Sequence, residues 1–204
     1  MITDTTHPQS HSHVLRRSIT ASTWLAWLLM HMLIWALAGA WIFGLDSSFD
    51  TLRQALTLGA VLGLLLGLGQ WLILRRHLAR LHGWPLLSVA GLTGGIALGY
   101  GVGSALQALD GIATLASVAT GALFLGLLQW LLLRRHLRAA IWWLPATLLA
   151  WGLGLPAGWI LVILGFILEP TLSLPGGLLT GLLTGLIGGA ISGVALIWLL
   201  RRNA

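Results

Sequence analysis

The sequence predicts an all-α, polytopic membrane protein: six transmembrane helices, built as three parallel two-helix hairpin repeats. Three observations carry this expectation. Of the 204 residues, 57% are hydrophobic and only 8% charged, whereas a soluble domain carries roughly 25% charged residues; a soluble fold of this size could not bury so much apolar surface. The charges bound six apolar gaps, each at least about 20 residues, the length a helix needs to cross roughly 30 Å of hydrocarbon. Finally, the block QWLILRRHL at 70–78 returns as QWLLLRRHL at 129–137.

Residues 1–20 are polar and read as a solvated cytoplasmic tail. Its His7, His11 and His13 could ligate a metal if ordered, but the chain has no cysteine and only Asp4 lies nearby, so a disordered tail is expected. The first helix is expected over about 21–45, between Arg17 and Asp46. Arg16-Arg17, the apolar run and ALAGA at 36–40 imitate a secretory signal, but the run exceeds an h-region of about 7–15 residues. The second helix is expected over about 54–74, the third over 83–108 and the fourth over 112–133. The fifth, about 141–168, is longer than a crossing needs and carries Pro145 and Pro156, which predicts tilt or a kink. The sixth covers about 176–200.

The arginines orient these spans. There is no lysine, and ten of the eleven arginines fall on one side of a six-span topology: Arg16, Arg17, Arg75, Arg76, Arg80, Arg134, Arg135, Arg138, Arg201 and Arg202. Arg53 alone lies on the other side, with Asp46, Asp50, Asp110 and Glu169. An excess of cytoplasmic Arg places both termini inside. Clustering at the ends of apolar runs also argues against nucleic acid as the partner of this basic chain; anionic headgroups fit better.

The quoted blocks mark a repeat. One membrane domain divides into hairpins at 21–82, 83–138 and 139–204. Sliding the second block onto the last helix aligns Arg134-Arg135 with Arg201-Arg202, puts Gln129 on Leu196, and moves the tryptophan one place to Trp198. HGWPLL at 82–87 resembles WWLPAT at 142–147, and Trp24 opens the first helix at a similar place. Parallel repeats of this kind imply a pseudo-threefold axis along the membrane normal.

Small residues recur every fourth position. The second helix has Gly59, Gly63 and Gly67; the third Gly91, Gly95, Gly99 and Gly103; the fifth Ala146, Ala150, Gly154 and Gly158; the sixth Gly177, Gly181, Gly185, Gly189 and Gly193. Ala36, Ala40 and Gly44, and Ala113, Ser117 and Gly121, are weaker versions. Burial cannot drive helix association in lipid, so such faces predict close backbone packing, within the chain or against a neighbouring chain.

No Asp, Glu, Lys or Arg lies inside a span, which speaks against ion-coupled transport and against acid–base or nucleophilic catalysis. His31 is the one titratable group deep in the bilayer. It is expected to bond to a neighbouring helix; the sharper alternative is an axial ligand to haem or a chlorophyll-type pigment. The amides of Gln70 and Gln129 are expected to bond to neighbouring helices, with a polar pore lining as the alternative. Trp71 and Trp130 suit the interfacial aromatic belt. Arg75-Arg76 and Arg134-Arg135 suit lipid phosphates or a docking cytoplasmic partner, a surface that His77 and His136 would make pH-sensitive.

The pattern G-x-x-x-G-x-x-Q-W-x-x-L-R-R, carried by Gly67, Gln70, Trp71, Arg75 and Arg76, resembles small Trp- and Gly-rich multipass bacterial membrane proteins. The resemblance implies a topology and no activity. Mitochondrial-type carriers also have three two-helix repeats, but their acidic–basic signature is missing here. The expectation is a non-enzymatic inner-membrane accessory or scaffold subunit with membrane-protein partners or further copies of itself. A small facilitative channel for neutral or lipophilic solutes, and a haem or pigment carrier using His31, are the alternatives.

Overall fold

The computed structural model of the chain describes residues 9–44, 51–78, 81–105, 110–168 and 173–203. Six α-helices follow one another: α1 (Gln9–Gly44), α2 (Leu52–Leu74), α3 (Trp84–Ala105), α4 (Asp110–Leu133), α5 (Trp143–Leu168) and α6 (Ser173–Arg202), with a 3₁₀ turn at Ala140–Trp142 leading into α5. Each contains a stretch long and apolar enough to cross a membrane. The chain is thus an all-helical, multipass membrane protein. Asp46, Asp50, Arg80 and Glu169, and the expected end of the third helix at 106–108, lie outside the described residues.

One element departs from expectation. α1 begins at Gln9 and takes in most of the stretch read as a disordered tail. No glycine or proline interrupts residues 9–38, so once the apolar part is helical, each added polar residue extends the helix at little cost. His11 and His13 therefore stand on a helix, and His7 lies outside the described residues. α2 starts at a capping box: Thr51 Oγ1 accepts from the Gln54 amide at 3.3 Å and the Gln54 side chain accepts from the Thr51 amide at 3.0 Å, satisfying two donors that the first turn leaves open.

Each helix packs on its neighbours in sequence, and α1 packs on α6, so the six close into a ring. The α1–α6 and α3–α4 junctions are the most extensive, α1–α2 and α4–α5 the slightest. Glycines set the close approaches. A Cβ at Gly63 would lie 2.7 Å from Val89 Cα, one at Gly91 2.9 Å from Leu125 Cα, one at Gly95 2.7 Å from Gly121 Cα, and one at Gly185 2.6 Å from Met32 Cα. Real Cβ contacts are essentially never so short. Gly59 and Gly67 face Thr93 and Pro85, Gly99 faces Ser117, Gly154 and Gly158 face Thr184 and Thr180, and Gly181, Gly189 and Gly193 face Trp35, Leu28 and Trp24. Gly103, Ala146 and Ala150 are buried. On α1 the position opposite Gly177 is Gly39, rather than Ala40 of the expected stripe; the face that meets α6 runs through Leu28, Met32, Ala36 and Gly39.

The interior is filled from one end. Where α2, α4 and α6 run out into arginines, Trp27, Trp84 and Trp143 meet Leu74, Leu133 and Leu199, all at most 1% exposed. The indoles touch edge to face, with Trp143 centred 6.0 Å from Trp27 and 6.2 Å from Trp84, the offset geometry that aromatic quadrupoles favour. Leu25, Leu29, Leu33 and Leu37 form an outward stripe on α1, each at least 50% exposed, as a lipid-facing surface requires.

Candidate functional site

The side chains of Gln70, Gln129, His31, Ser88, Thr147 and Ser192 converge on one layer just beyond the three tryptophans. The first links are local. Trp84 and Trp143 each start a helix, and the residue one turn on, Ser88 or Thr147, returns its hydroxyl to that tryptophan's carbonyl at 2.9 Å. The indole Nε1 of each then donates to the glutamine fourteen residues earlier: Trp84 to Gln70 Oε1 at 3.0 Å, Trp143 to Gln129 Oε1 at 2.9 Å. An indole can only donate, so these bonds fix which end of each amide carries oxygen. Gln129 Nε2 donates to Gln70 Oε1 at 2.8 Å and to Ser88 Oγ at 2.9 Å. Gln70 Nε2 faces His31 Nε2 at 3.4 Å, and His31 Nδ1 lies 2.9 Å from the Trp27 carbonyl. A carbonyl only accepts, so Nδ1 carries the proton and Nε2 receives the amide. Trp27 Nε1 donates to Ser192 Oγ at 3.0 Å, which donates to the Gly188 carbonyl at 2.7 Å. Every bond in the chain has a consistent direction, and together they join all six helices.

The clasp occurs twice in identical form, as Trp84–Gln70–Ser88 and Trp143–Gln129–Thr147. A third, altered version uses Trp27, His31 and Ser192. Leu196 stands where a third glutamine would align, so the acceptor for Trp27 lies one turn away at Ser192, and His31 occupies the place of Ser88 and Thr147. Sequence alignment of the hairpins points to Trp24 as the equivalent position. Trp27, three residues on, is the one that reaches the axis, and Trp24 Nε1 is buried without a hydrogen bond. The signal was present: Trp followed four residues later by His, Ser or Thr, and twice preceded fourteen residues earlier by Gln.

Beside the layer lies a cavity of about 20 Å³ among His31, Trp35, Gln70, Gln129, Trp151 and Thr184. A water needs roughly 10–15 Å³ on that measure, so the space suits a water and no organic ligand. Among the described residues no three His, Cys, Asp or Glu side chains lie close enough to hold a metal.

The arginine end has its own regular geometry. Arg75 lies over Trp71 at 5.0 Å, Arg134 over Trp130 at 5.2 Å and Arg202 over Trp198 at 5.2 Å, always four residues apart. Arg76, Arg135, Arg138 and Arg201 are exposed. The turns after α2 and α4 repeat the same backbone bonds: Leu78 N to the Leu74 carbonyl and Leu137 N to the Leu133 carbonyl, each 2.8 Å. His77 Nε2 meets Thr23 Oγ1 of α1 at 3.1 Å; burial and then the neighbouring Arg76 charge hold its pKa below the usual 6.5. His136 belongs to the matching turn. Asn203 joins the second turn to α6 by accepting from the Arg138 amide at 3.0 Å.

Compared with protein-family models, with curated proteins and with solved structures, the chain finds no match.

Proposed function

We propose that the chain is a non-catalytic integral membrane subunit, an accessory or scaffold component of a larger assembly in a bacterial inner membrane. The observation that carries this reading is the self-contained polar layer. Its glutamines, indoles and imidazole are spent on one another, and tryptophans and leucines fill the axis on the arginine side. Among the described residues the layer's polar groups bond to one another rather than standing free, which favours the outer surface as the place where the chain works. The recurrence of the Trp–Gln clasp supports three parallel hairpin repeats, and the arginine asymmetry supports cytoplasmic termini. The glycine faces are occupied by this chain's own helices, so partners or further copies of the chain would meet the outward apolar faces, such as the α1 leucine stripe.

The rival readings gain less support. A facilitative channel requires an open axis. A haem or chlorophyll-type ring at His31 requires a free imidazole nitrogen and far more room than about 20 Å³, and both nitrogens are engaged. Extraction of the natively expressed, tagged protein in a mild detergent tests the proposal. Co-purification of defined membrane proteins in fixed ratio is expected. A monodisperse, isolated monomer from native membranes would sink it.

A further inference from the structure

We infer that the three Trp–Arg clamps are built sites for the phosphate of an anionic phospholipid, holding lipid in defined number at the arginine end of the ring. The inference stands apart from the accessory-subunit reading and requires only that the chain spans a membrane.

The first ground is uncompensated charge. In the sequence Asp46, Asp50, Asp110 and Glu169 all fall in the connections away from the arginine pairs, and among the described residues none of these guanidiniums has an ion-pair partner. The helix C-termini carry only about half a negative charge each, against two guanidiniums at each of three ends. Among the described residues, nothing supplies that counter-charge.

The second ground is geometry. Each guanidinium carbon lies within cation–π range of its indole, and these exposed arginines can bind phosphate by two parallel N–H bonds. Each clamp has a second arginine beside it: Arg76, Arg135 and Arg201. The third hairpin is informative. Its tryptophan has moved one residue relative to the other two, and the stacked arginine has moved with it, from the first to the second of the pair. The four-residue spacing of the clamp is kept where the alignment is not.

The third ground separates a lipid from a free anion. Below the clamps the outward faces stay apolar, with Leu68 and Leu72 under Arg75-Arg76, Leu131 under Arg134-Arg135 and Val194 under Arg201-Arg202, all exposed. A phosphate held at each clamp would have its acyl chains laid on that surface.

Native mass spectrometry of the full chain in neutral detergent, titrated with phosphatidylglycerol or with phosphatidylcholine of the same acyl chains, tests this. Phosphatidylglycerol should bind preferentially and saturate near three per chain. Arg75→Gln, Arg134→Gln and Arg202→Gln should each weaken one site about fivefold, from roughly 1 kcal/mol per interfacial basic residue at tenfold per 1.4 kcal/mol. Arg53→Gln, at the opposite end, should change nothing. Millimolar inorganic phosphate should fail to displace the lipid. Equal binding of the two lipids, or equal losses from Arg53→Gln and Arg75→Gln, would overturn the inference. Displacement by free phosphate would reassign the clamps to bare anions, and capture of a polyglutamate peptide in preference to phosphatidylglycerol would reassign them to an acidic protein.

Discussion

Replacing Gln129 by leucine should destabilise the protein by about 3 kcal/mol, although leucine is the more lipophilic residue and fills nearly the same volume. Gln129 is 1% exposed and makes three side-chain bonds: to Gln70, to Ser88 and from Trp143. Interhelical side-chain bonds in membrane proteins average about 0.6 kcal/mol each, so their loss costs roughly 2 kcal/mol. Ser88 keeps its bond to the Trp84 carbonyl and Gln70 Oε1 keeps Trp84, but Trp143 Nε1 is left with no acceptor, and an orphaned buried donor adds about 1 kcal/mol or more. Unfolding in mixed micelles with increasing dodecyl sulfate, followed by tryptophan fluorescence, measures the total. Repeating the substitution in a Gln70→Leu background should give a smaller cost, because one of the three bonds is already gone. A cost below about 0.5 kcal/mol, or strict additivity with Gln70→Leu, would show that the layer is not the cooperative network described.

Three further outcomes are expected. Gly95→Leu should prevent stable folding, since its Cβ would sit 2.7 Å from Gly121 Cα, whereas Gly101→Leu, with nothing within 4 Å, should stay within about 1 kcal/mol of the parent, the range of helix-propensity effects; thermal melts in detergent distinguish them. Leu196→Gln places a third glutamine at the aligned position, so it should cost clearly less than Leu133→Gln at an equally buried site outside the layer; equal costs in the same micelle assay would count against the threefold reading. For His77 the folded pKa is lowered, so the unfolded chain binds the proton more readily. Its contribution is complete above about 6.5 and declines as pH falls from there toward the lowered folded value. His77→Gln should flatten that part of the melting profile; an unchanged profile would remove the Thr23–His77 bond from the account.

The six apolar spans were legible in the sequence because charge is the most expensive thing to put in lipid. Gaps between Arg53 and Arg75, or Arg138 and Glu169, bound spans with little ambiguity. Close packing was also legible as spacing, since only small residues let backbones touch, though spacing could not say which helix would fill each face. The polar layer was harder to foresee. Gln70 and Gln129 stood out as amides within apolar runs, and bonds to neighbouring helices were expected of them, but partners on α3 and α5 lie across a loop and depend on the ring closing. Tryptophan misled most, because Trp27, Trp71 and Trp198 have the same composition signal. An indole near a helix end serves the interface as well as the axis, and only rotation about the helix decides between them. The extent of α1 is hidden for a simpler reason: residues 9–20 have the polar composition of a disordered tail, yet after Pro8 they hold no helix breaker.

The polar layer also has a consequence for the membrane's electrical integrity. A string of hydrogen bonds deep in a bilayer invites protons to hop along it, and such a leak would drain any gradient the membrane stores. Hopping needs members that take a proton on one side and release another. Indole N–H groups only donate, and an amide oxygen and an amide nitrogen do not exchange roles at neutral pH. The hydroxyls of Ser88, Thr147 and Ser192 and the ring of His31 could, but each hydroxyl donates to a backbone carbonyl and His31 is boxed between the Gln70 amide and a backbone carbonyl, none of which can supply or carry away a proton. By building the layer from tryptophan and glutamine, the chain gains the adhesion of polar groups while remaining an insulator.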